Sequence, residues 1–309
     1  MEEKWRTASE IAARLKIHRS TVGDLARRHN LSTKIINPRV FKYKESEIKR
    51  HLSLGHRNGA NAKFVGSAVS RTYNDYWKLD WDEFILGCDT HIPHYHEGII
   101  NRMLEFAEHH KIKNFIHPGD FFDQTAFSRF DSASEDISSL SEEIEAGRTV
   151  IKALKSVFSD IRFTLGSHDV RLWLNLLKQG KEIPFDEPWR LVGENVEVSR
   201  FRYAEINDEW RVTHPKSVMR IGGIGIVRAI AKFQRSIIFG HGHWWGIEKD
   251  PSGKHYAIAP GCLVDKKRVA YASLWDTSHN EWVPGFVAVL DRNKPILLEE
   301  GSPWEIYLG

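Results

Sequence analysis

The stretch Ile112–Asp123, IKNFIHPGDFFD, decides how the longer part of this chain reads. An apolar run stops at a histidine, turns through Pro118 and Gly119, and sets down two carboxylates, Asp120 and Asp123. A plain turn needs no such pair. The construction recurs on both sides of it. EFILGCDTHIP delivers Asp89 and His91, and IRFTLGSHDV delivers Ser167, His168 and Asp169. Farther on, WRVTHP delivers His214, and SIIFGHGHWWG delivers His241 and His243. Short apolar runs bounded by Gly and Asp read as buried strands, and helical stretches at roughly 97–111 and 134–157 separate the first three. The local order is therefore β-α-β-α-β. In open α/β sheets ligands gather beyond the carboxyl ends of the strands, so the five clusters are expected to converge.

Each cluster alone is an ordinary turn or a solvated histidine pair; five at strand ends in one domain point to metal. Two divalent ions about 3.5–4 Å apart can polarise a phosphoryl group and activate water. One carboxylate must lie between them, because only an anion with two oxygens neutralises both charges, and neutral imidazoles complete the shells. In Asp89-x-His91 and His241-x-His243, alternate residues of an extended segment face one side, so both members can reach one centre.

Of the 309 residues, 41% are hydrophobic and 28% charged, the balance of an ordinary soluble globular protein. Two cysteines make no disulfide framework, which fits a reducing, cytoplasmic compartment. MEEKWRTASE has no apolar core and no run of 18 apolar residues occurs, so neither a secretory signal nor a membrane span is expected. The net charge of +3 conceals an asymmetry: residues 1–58 hold 14 Lys and Arg against 6 Asp and Glu, the remainder 30 against 35. A small basic head on an acidic body is where a polyanion would bind.

In that head, Thr7 and Glu10 have capping-box spacing, and Ile11, Ala12 and Leu15 follow as an apolar stripe. After the break KIHRS, Ser20 is expected to cap a second helix with Val22, Leu25 and Ala26 inward. Arg19, Ser20, Thr21, Arg27 and Arg28 are the candidate DNA-contacting residues on or beside it. KIINPRVFKY reads as a small hairpin and KESEIKRHL as a short basic helix. Two helices, a tight turn and a possible wing are the parts of a helix-turn-helix. This stretch resembles the excisionase-like and winged helix-turn-helix modules of phages, and DNA is the partner that resemblance implies.

The body resembles the calcineurin-like metallophosphoesterase superfamily over about 79–309. The residues that carry the resemblance are Asp89-Thr-His91, Gly119-Asp-Phe-Phe-Asp123, Gly166-Ser-His-Asp169, His214 and Gly240-His-Gly-His243, with APGCLVD and GFVAVL similar to the last strands of phage and prophage members. The resemblance implies an α/β fold, a four-layer α-β-β-α sandwich, here preceded by the helix-turn-helix domain at 1–55 and a linker at 56–78. It implies two divalent metal ions, Mn2+ foremost with Fe, Zn or Ni as alternatives. Asp89, His91 and His243 would hold one, His214, His241 and Ser167 the other, and Asp120 would bridge. His168 would donate to a phosphate oxygen or protonate the leaving group, with Asp123 orienting it and hydroxide as nucleophile. Ser167 departs from the family's asparagine, which predicts a weaker second site, with His94 and His96 as nearby histidines. Phosphoprotein phosphatases of the superfamily carry arginine where Gln124 stands, which argues against that activity. Arg129 and Arg171 are candidate phosphate contacts, and Trp244 and Trp245 candidate base-stacking or cleft-wall residues. The expected function is a metal-dependent phosphodiesterase or nuclease acting on DNA inside a bacterial cell, with a phage-encoded origin in view. The alternatives are a phosphomonoesterase or small-molecule phosphodiesterase, and a DNA-binding regulator with a degenerate metal site.

Overall fold

The computed structural model describes residues 4–28, 31–37, 40–56, 75–128, 137–216, 224–270, 272 and 282–308. The chain divides into two compact units, Met1–Thr72 and Tyr73–Gly309. No helix among the described residues is long and apolar enough to cross a membrane.

The first unit runs β1 (Trp5–Thr7), α1 (Ala8–Leu15), α2 (Arg19–Arg28), β2 (Thr33–Asn37), β3 (Val40–Lys44) and α3 (Glu45–His56). Its three strands pair antiparallel in the order β1-β3-β2. Thr7 and Glu10 form the capping box that starts α1, and Lys16, left-handed at φ 53°, ends it. The second cap differs from expectation. Helix α2 begins one residue before Ser20, and the ring Nδ1 of His18 accepts the Ser20 backbone N–H at 3.3 Å. Ser20 is thus a capped residue, because its own N–H is one of the free donors of the first turn. Ile11, Ala12, Val22 and Ile48 form the core. Beside it the buried carboxylate of Glu45 ties together Lys49 (3.0 Å), Arg6 (2.6 Å) and Arg14 (3.2 Å). The bond from Lys49 leads those that pull the Glu45 pKa down to about 2 against burial, with Arg6 and Arg14 adding to it. Arg19, Ser20 and Arg27 are exposed and Thr21 is half-buried; the Arg28 side chain lies outside the described residues.

The second unit holds two six-stranded sheets. One contains β5 (Phe84–Leu86), β6 (Asn114–His117), β7 (Asp160–Thr164), β8 (Glu197–Ser199), β14 (Gly285–Leu290) and β15 (Lys294–Glu299), in the order β15-β14-β5-β6-β7-β8. The other contains β4 (Lys78–Leu79), β9 (Tyr203–Ile206), β10 (Trp210–Thr213), β11 (Ser236–Phe239), β12 (Trp245–Lys249) and β13 (Tyr256–Pro260), in the order β12-β13-β11-β10-β9-β4. Strands β5 to β8 are mutually parallel, as are β10, β11 and β13. Among the described residues the helices are α4 (Glu97–His110), α5 (Leu140–Val157), α6 (Arg171–Lys178), α7 (Glu187–Val192), α8 (Ile224–Phe233) and α9 (Trp304–Leu308). Helix α5 starts later than the sequence pattern suggests, because Ser139 and Glu142 close a capping box there; residues 134–136 lie outside the described residues. Residues 217–223 likewise fall outside them, and α8 follows directly.

Strand alternation builds the layers. Phe84, Leu86, Ile116, Val287 and Val289 of the first sheet meet Ala204, Ile206, Val212, Ile238 and Ile258 of the second in one core. The alternate residues Ile85, Phe115, Phe286 and Ala288 face outward onto α4 and α5 through Ile99, Met103, Phe106, Ile151 and Leu154. In the second sheet Ile237, Phe239, Ala257 and Ala259 face Ile230 of α8. Two-residue periodicity on both sheets therefore yields helix, sheet, sheet, helix.

Candidate metal centre

All five ligand-bearing segments leave the carboxyl ends of parallel strands. Asp89 and His91 follow β5, Asp120 follows β6, Ser167 and His168 follow β7, His214 follows β10, and His241 and His243 follow β11. The two sheets supply opposite walls of one site. Asp89, His91 and His243 bring one ligand atom each within 4.8 Å of one another, and so do Asp120, His214 and His241. His91, Asp120 and His168 form a third such group; the resemblance assigns Ser167 beside His214 and His241, with Asp120 shared.

The chain reaches this arrangement through unusual backbone. Asp89, His91, Asp120, His241 and His243 all have positive φ, between 47° and 80°. That region disfavours L-residues and recurs at functional sites. Close approach of two loops demands glycine at Gly119 and Gly166. A Cβ on Gly119, itself at φ 110°, would lie 2.5 Å from Gly166 Cα, and one on Gly166 would lie 2.7 Å from the Asp120 carboxyl carbon. The touching loops are locked by Asp169. Its carboxylate accepts N–H groups from Asp120 (2.7 Å), Gly166 (2.8 Å), Phe121 (3.0 Å) and Phe122 (3.0 Å). Asp169 is therefore the loop's anchor and points away from ligation.

Hydrogen bonds fix the ligands' tautomers. Asp123 Oδ1 lies 2.8 Å from both His91 Nδ1 and His168 Nδ1, and Oδ2 accepts the Thr125 hydroxyl. An ionised carboxylate only accepts, so His91 carries its proton on Nδ1 and turns a lone pair at Nε2 toward His243 Nε2, 3.2 Å away. His214 Nε2 lies 3.1 Å from Asp120 Oδ2 and 3.1 Å from His241 Nδ1. The remaining Nδ1 atoms of His214 and His243 are buried without a partner among the described residues. Converging imidazole nitrogens and carboxylates, with lone pairs facing one another, fit divalent transition ions such as Mn, Fe, Zn or Ni better than Ca. Asp89 also accepts the His241 backbone N–H at 2.9 Å.

The charges are strongly coupled. Burial opposes ionisation of Asp89, yet His243 and His214 hold its carboxyl below the usual range. Burial likewise opposes Asp120 and Asp123, and is overcome for Asp120 by His214 and His168 and for Asp123 by its bonds to His168 and His91. Burial, with His168 nearby, lowers His91 to about 4, whereas against burial the Asp120 carboxylate raises His214 to about 9. A histidine ligand must be neutral, so an ion bound at His214 would displace a proton there.

Ser167 donates its hydroxyl to Asp120 Oδ2 at 3.1 Å, the same oxygen that faces His214. His96 accepts the Ile99 N–H and caps α4; His94 is buried with Nε2 unpartnered. Arg171, at the start of α6, donates to the Asp123 carbonyl (2.9 Å) and approaches His168 Nε2 (2.8 Å). Arg129 lies outside the described residues. Trp244 packs against the cluster of Ile230, Ile237, Phe239, Ala257 and Ala259, while Trp245 is 40% exposed. The Trp282 ring lies over His243, 4.1 Å between centroids.

Sequence reasoning missed the supports. Gln124 is fully buried: its N–H meets both Glu143 oxygens at 3.0 Å, its Oε1 accepts Leu172 N–H at 2.8 Å, and its Nε2 donates to the Asp169 carbonyl at 3.2 Å. Burial, helped by the Asp123 charge, raises Glu143 to about 9. Buried His117, held neutral at a pKa of about 3 by burial, accepts the Gly119 N–H (3.3 Å) and pairs with Thr90 (2.8 Å). An acid on a helix and a histidine three residues before Asp120 carry no sequence signal of such roles.

No protein-family model matches the chain, and no curated protein matches it. Among solved structures, a single mutant of Vps29 from Entamoeba histolytica is similar at 13% identity, covering 67% of this chain and 84% of that one, with a TM-score of 0.34. Wild-type Vps29 of the same organism, complexed with Zn2+, gives the same figures. A conserved uncharacterized protein from Streptococcus pneumoniae, described as a "predicted phosphoesterase", is similar at 13% identity, covering 67% of this chain and 81% of that one, with a TM-score of 0.30.

Proposed function

We propose that the chain is a metal-dependent phosphoesterase, a phosphodiesterase or nuclease that acts on DNA. The observation that carries this reading is that Asp120 groups with His214 and His241 and also with His91, which in turn groups with Asp89 and His243, so that both sheets contribute to each set. Asp89, His91 and His243 would hold one divalent cation and His214 and His241 a second, with Asp120 shared and Ser167 bonded to it. When bound, the cations supply Lewis acidity and charge neutralisation for a phosphoryl group. The chain's own residues supply the rest. Asp123 keeps His91 and His168 in register, Asp169 pins the Asp120 loop, and Trp282 packs against His243. Exposed Trp245, two residues from His243, offers a stacking face worth about 1–3 kcal/mol per base. The basic head supports DNA as substrate, with Arg19, Ser20, Thr21, Arg27 and Arg28 along α2 as its contacts.

The test uses the full chain with Mn2+ on bis-p-nitrophenyl phosphate and on single- and double-stranded DNA. Asp120→Ala is expected to abolish both activities. Arg19→Ala with Arg27→Ala should spare the small diester, weaken DNA cleavage, and flatten its dependence on salt. Cleavage of the small diester alone would favour a small-molecule phosphodiesterase. Full activity in Asp120→Ala would remove the hydrolase reading.

A further inference from the structure

A crossover between the sheets carries a cation that lies in none of the motifs. Strand β8 runs parallel to β7 and ends at Ser199, and β9 runs antiparallel to β10 and begins at Tyr203. Residues 200–202 therefore pass from the first sheet to the second at the end of the strands where the ligand loops lie. They touch both flanks of the centre. The Phe201 carbonyl accepts the Leu165 N–H at 3.3 Å, two residues before Ser167. The Arg202 carbonyl accepts the His214 N–H at 2.9 Å and the Thr213 hydroxyl at 3.1 Å.

Two-residue alternation fixes which way the Arg202 side chain leaves. Tyr76 touches the rings of Phe201 and Tyr203, 6.2 and 4.9 Å between centroids, and donates its hydroxyl to Glu205 at 3.2 Å, so 201, 203 and 205 share one face. Ala204 and Val212, paired across β9 and β10, take the other face, toward the core between the sheets. One step along the same register Arg202 stands opposite His214, and opposed residues of an antiparallel pair share a face. The guanidinium is thus sent to the side of the His214 imidazole, whose Nε2 lies 3.1 Å from Asp120 Oδ2. Arg211, on the Tyr76 face, is neutralised: it donates to Glu205 at 3.1 Å and packs 3.8 Å from the Tyr203 ring centroid. Half-buried Arg202 is not. Among the described residues no carboxylate pairs with it and no acceptor receives its N–H groups. A guanidinium keeps its charge, so one lodged without a counter-ion beside this centre is open to an anion from outside.

We propose that Arg202 binds the substrate phosphate on the His214 side of the centre, with its fork of N–H donors on the non-bridging oxygens. The proposal rests on the phosphoesterase reading and deepens it with a binding residue outside all five ligand-bearing segments. Ser167, on the neighbouring loop, donates its hydroxyl to Asp120 and offers the anion no charge, so on this flank the guanidinium supplies it. Arg202 holds and orients the phosphate and transfers no proton. The ligand chemistry is a tetrahedral phosphate group, whether in a diester or as the free anion.

Calorimetric titration of the full chain loaded with Mn2+ decides it, with inorganic phosphate as the probe. Arg202→Gln should weaken phosphate binding at least about tenfold, and Arg202→Lys, which keeps a point charge without the fork, should weaken it less. Mn2+ affinity measured without phosphate should stay at the wild-type value in both variants, because the Arg202 side chain bonds to none of the ligands. Unchanged phosphate affinity in Arg202→Gln overturns the proposal. A matching loss of Mn2+ affinity also overturns it, since Arg202 would then be a support for His214. A wild-type chain that binds no phosphate at millimolar concentration does the same. On bis-p-nitrophenyl phosphate, Arg202→Ala should lose about 100-fold in kcat/KM and recover part of it on adding guanidinium ion; undiminished turnover counts against the proposal. If the wild-type chain hydrolyses no phosphoester, the function reading fails, while the phosphate and Mn2+ titrations still judge Arg202.

Discussion

Replacing Gly166 by alanine tests whether the two ligand loops are held in contact as described. The new methyl would stand 2.7 Å from the Asp120 carboxyl carbon and nearer still to its backbone nitrogen and Oδ1, where ordinary contacts begin near 3.4 Å. The Asp120 backbone nitrogen, 2.2 Å from the new methyl, must therefore retreat by about 1.2 Å. It has nowhere to go. Asp120 N–H is held by Asp169 at 2.7 Å, its carbonyl accepts His91 N–H at 3.1 Å, and Gly119 carbonyl accepts Asp89 N–H at 3.2 Å. Overpacking costs about 1–3 kcal/mol, and losing one or two of these buried bonds adds about 1–2 kcal/mol. A total of about 2–5 kcal/mol, at roughly 2–4 °C per kcal/mol for a domain of this size, lowers Tm by about 5–15 °C. Because Asp89, His91 and Asp120 move together, affinity for Zn2+ or Mn2+ should fall by more than about tenfold. Differential scanning calorimetry and metal titration of the full chain measure both. A variant within about 1 kcal/mol of wild type and with unchanged metal affinity would show that the loops do not meet as described.

Two further outcomes follow from buried carboxyls. Asp123→Asn leaves one amide face to serve two imidazole N–H groups, so metal affinity should drop about 10–100-fold while the fold persists; calorimetric titration showing wild-type affinity would refute the orienting role of Asp123. Glu143 has its pKa raised to about 9 from 4.5, so the stability it confers is complete below about pH 4.5 and is lost as pH rises toward 9. Glu143→Gln, which keeps an acceptor for the Gln124 N–H, should therefore gain on wild type between pH 5 and pH 8 in denaturant midpoints; a relative loss over that interval would contradict the assignment.

What the sequence made legible was whatever ends an apolar run. Asp89, His91, Asp120, His214, His241 and His243 each stand within a few residues of a strand terminus, so period-two burial and polar ends suffice to find them. The division of those strands between two sheets was not visible in the runs themselves: β5, β6 and β7 share one sheet and β10 and β11 the other, a matter of long-range pairing. The resemblance, not the periodicity, implied the layered arrangement. Local chemistry also gave the Thr7 capping box, but misassigned the next cap, since a histidine ring rarely accepts at a helix start. Gln124 and Glu143 stayed hidden because they lie 19 residues apart and Asp169 is 45 from Gln124, and His117 because its partner Thr90 is 27 away. Arg171 was singled out as a phosphate contact, yet its bonds to the Asp123 carbonyl and His168 are visible only in the fold.

Five of the six side chains in the two proposed metal sets hang from backbone twisted the wrong way for an L-residue. Such positions are ones that glycine would occupy more comfortably, so aspartate and histidine are kept there at a conformational cost. Erosion of the centre should accordingly relax the domain instead of unravelling it. A descendant that had lost its chemistry could keep this shape intact and be recruited as a mere platform.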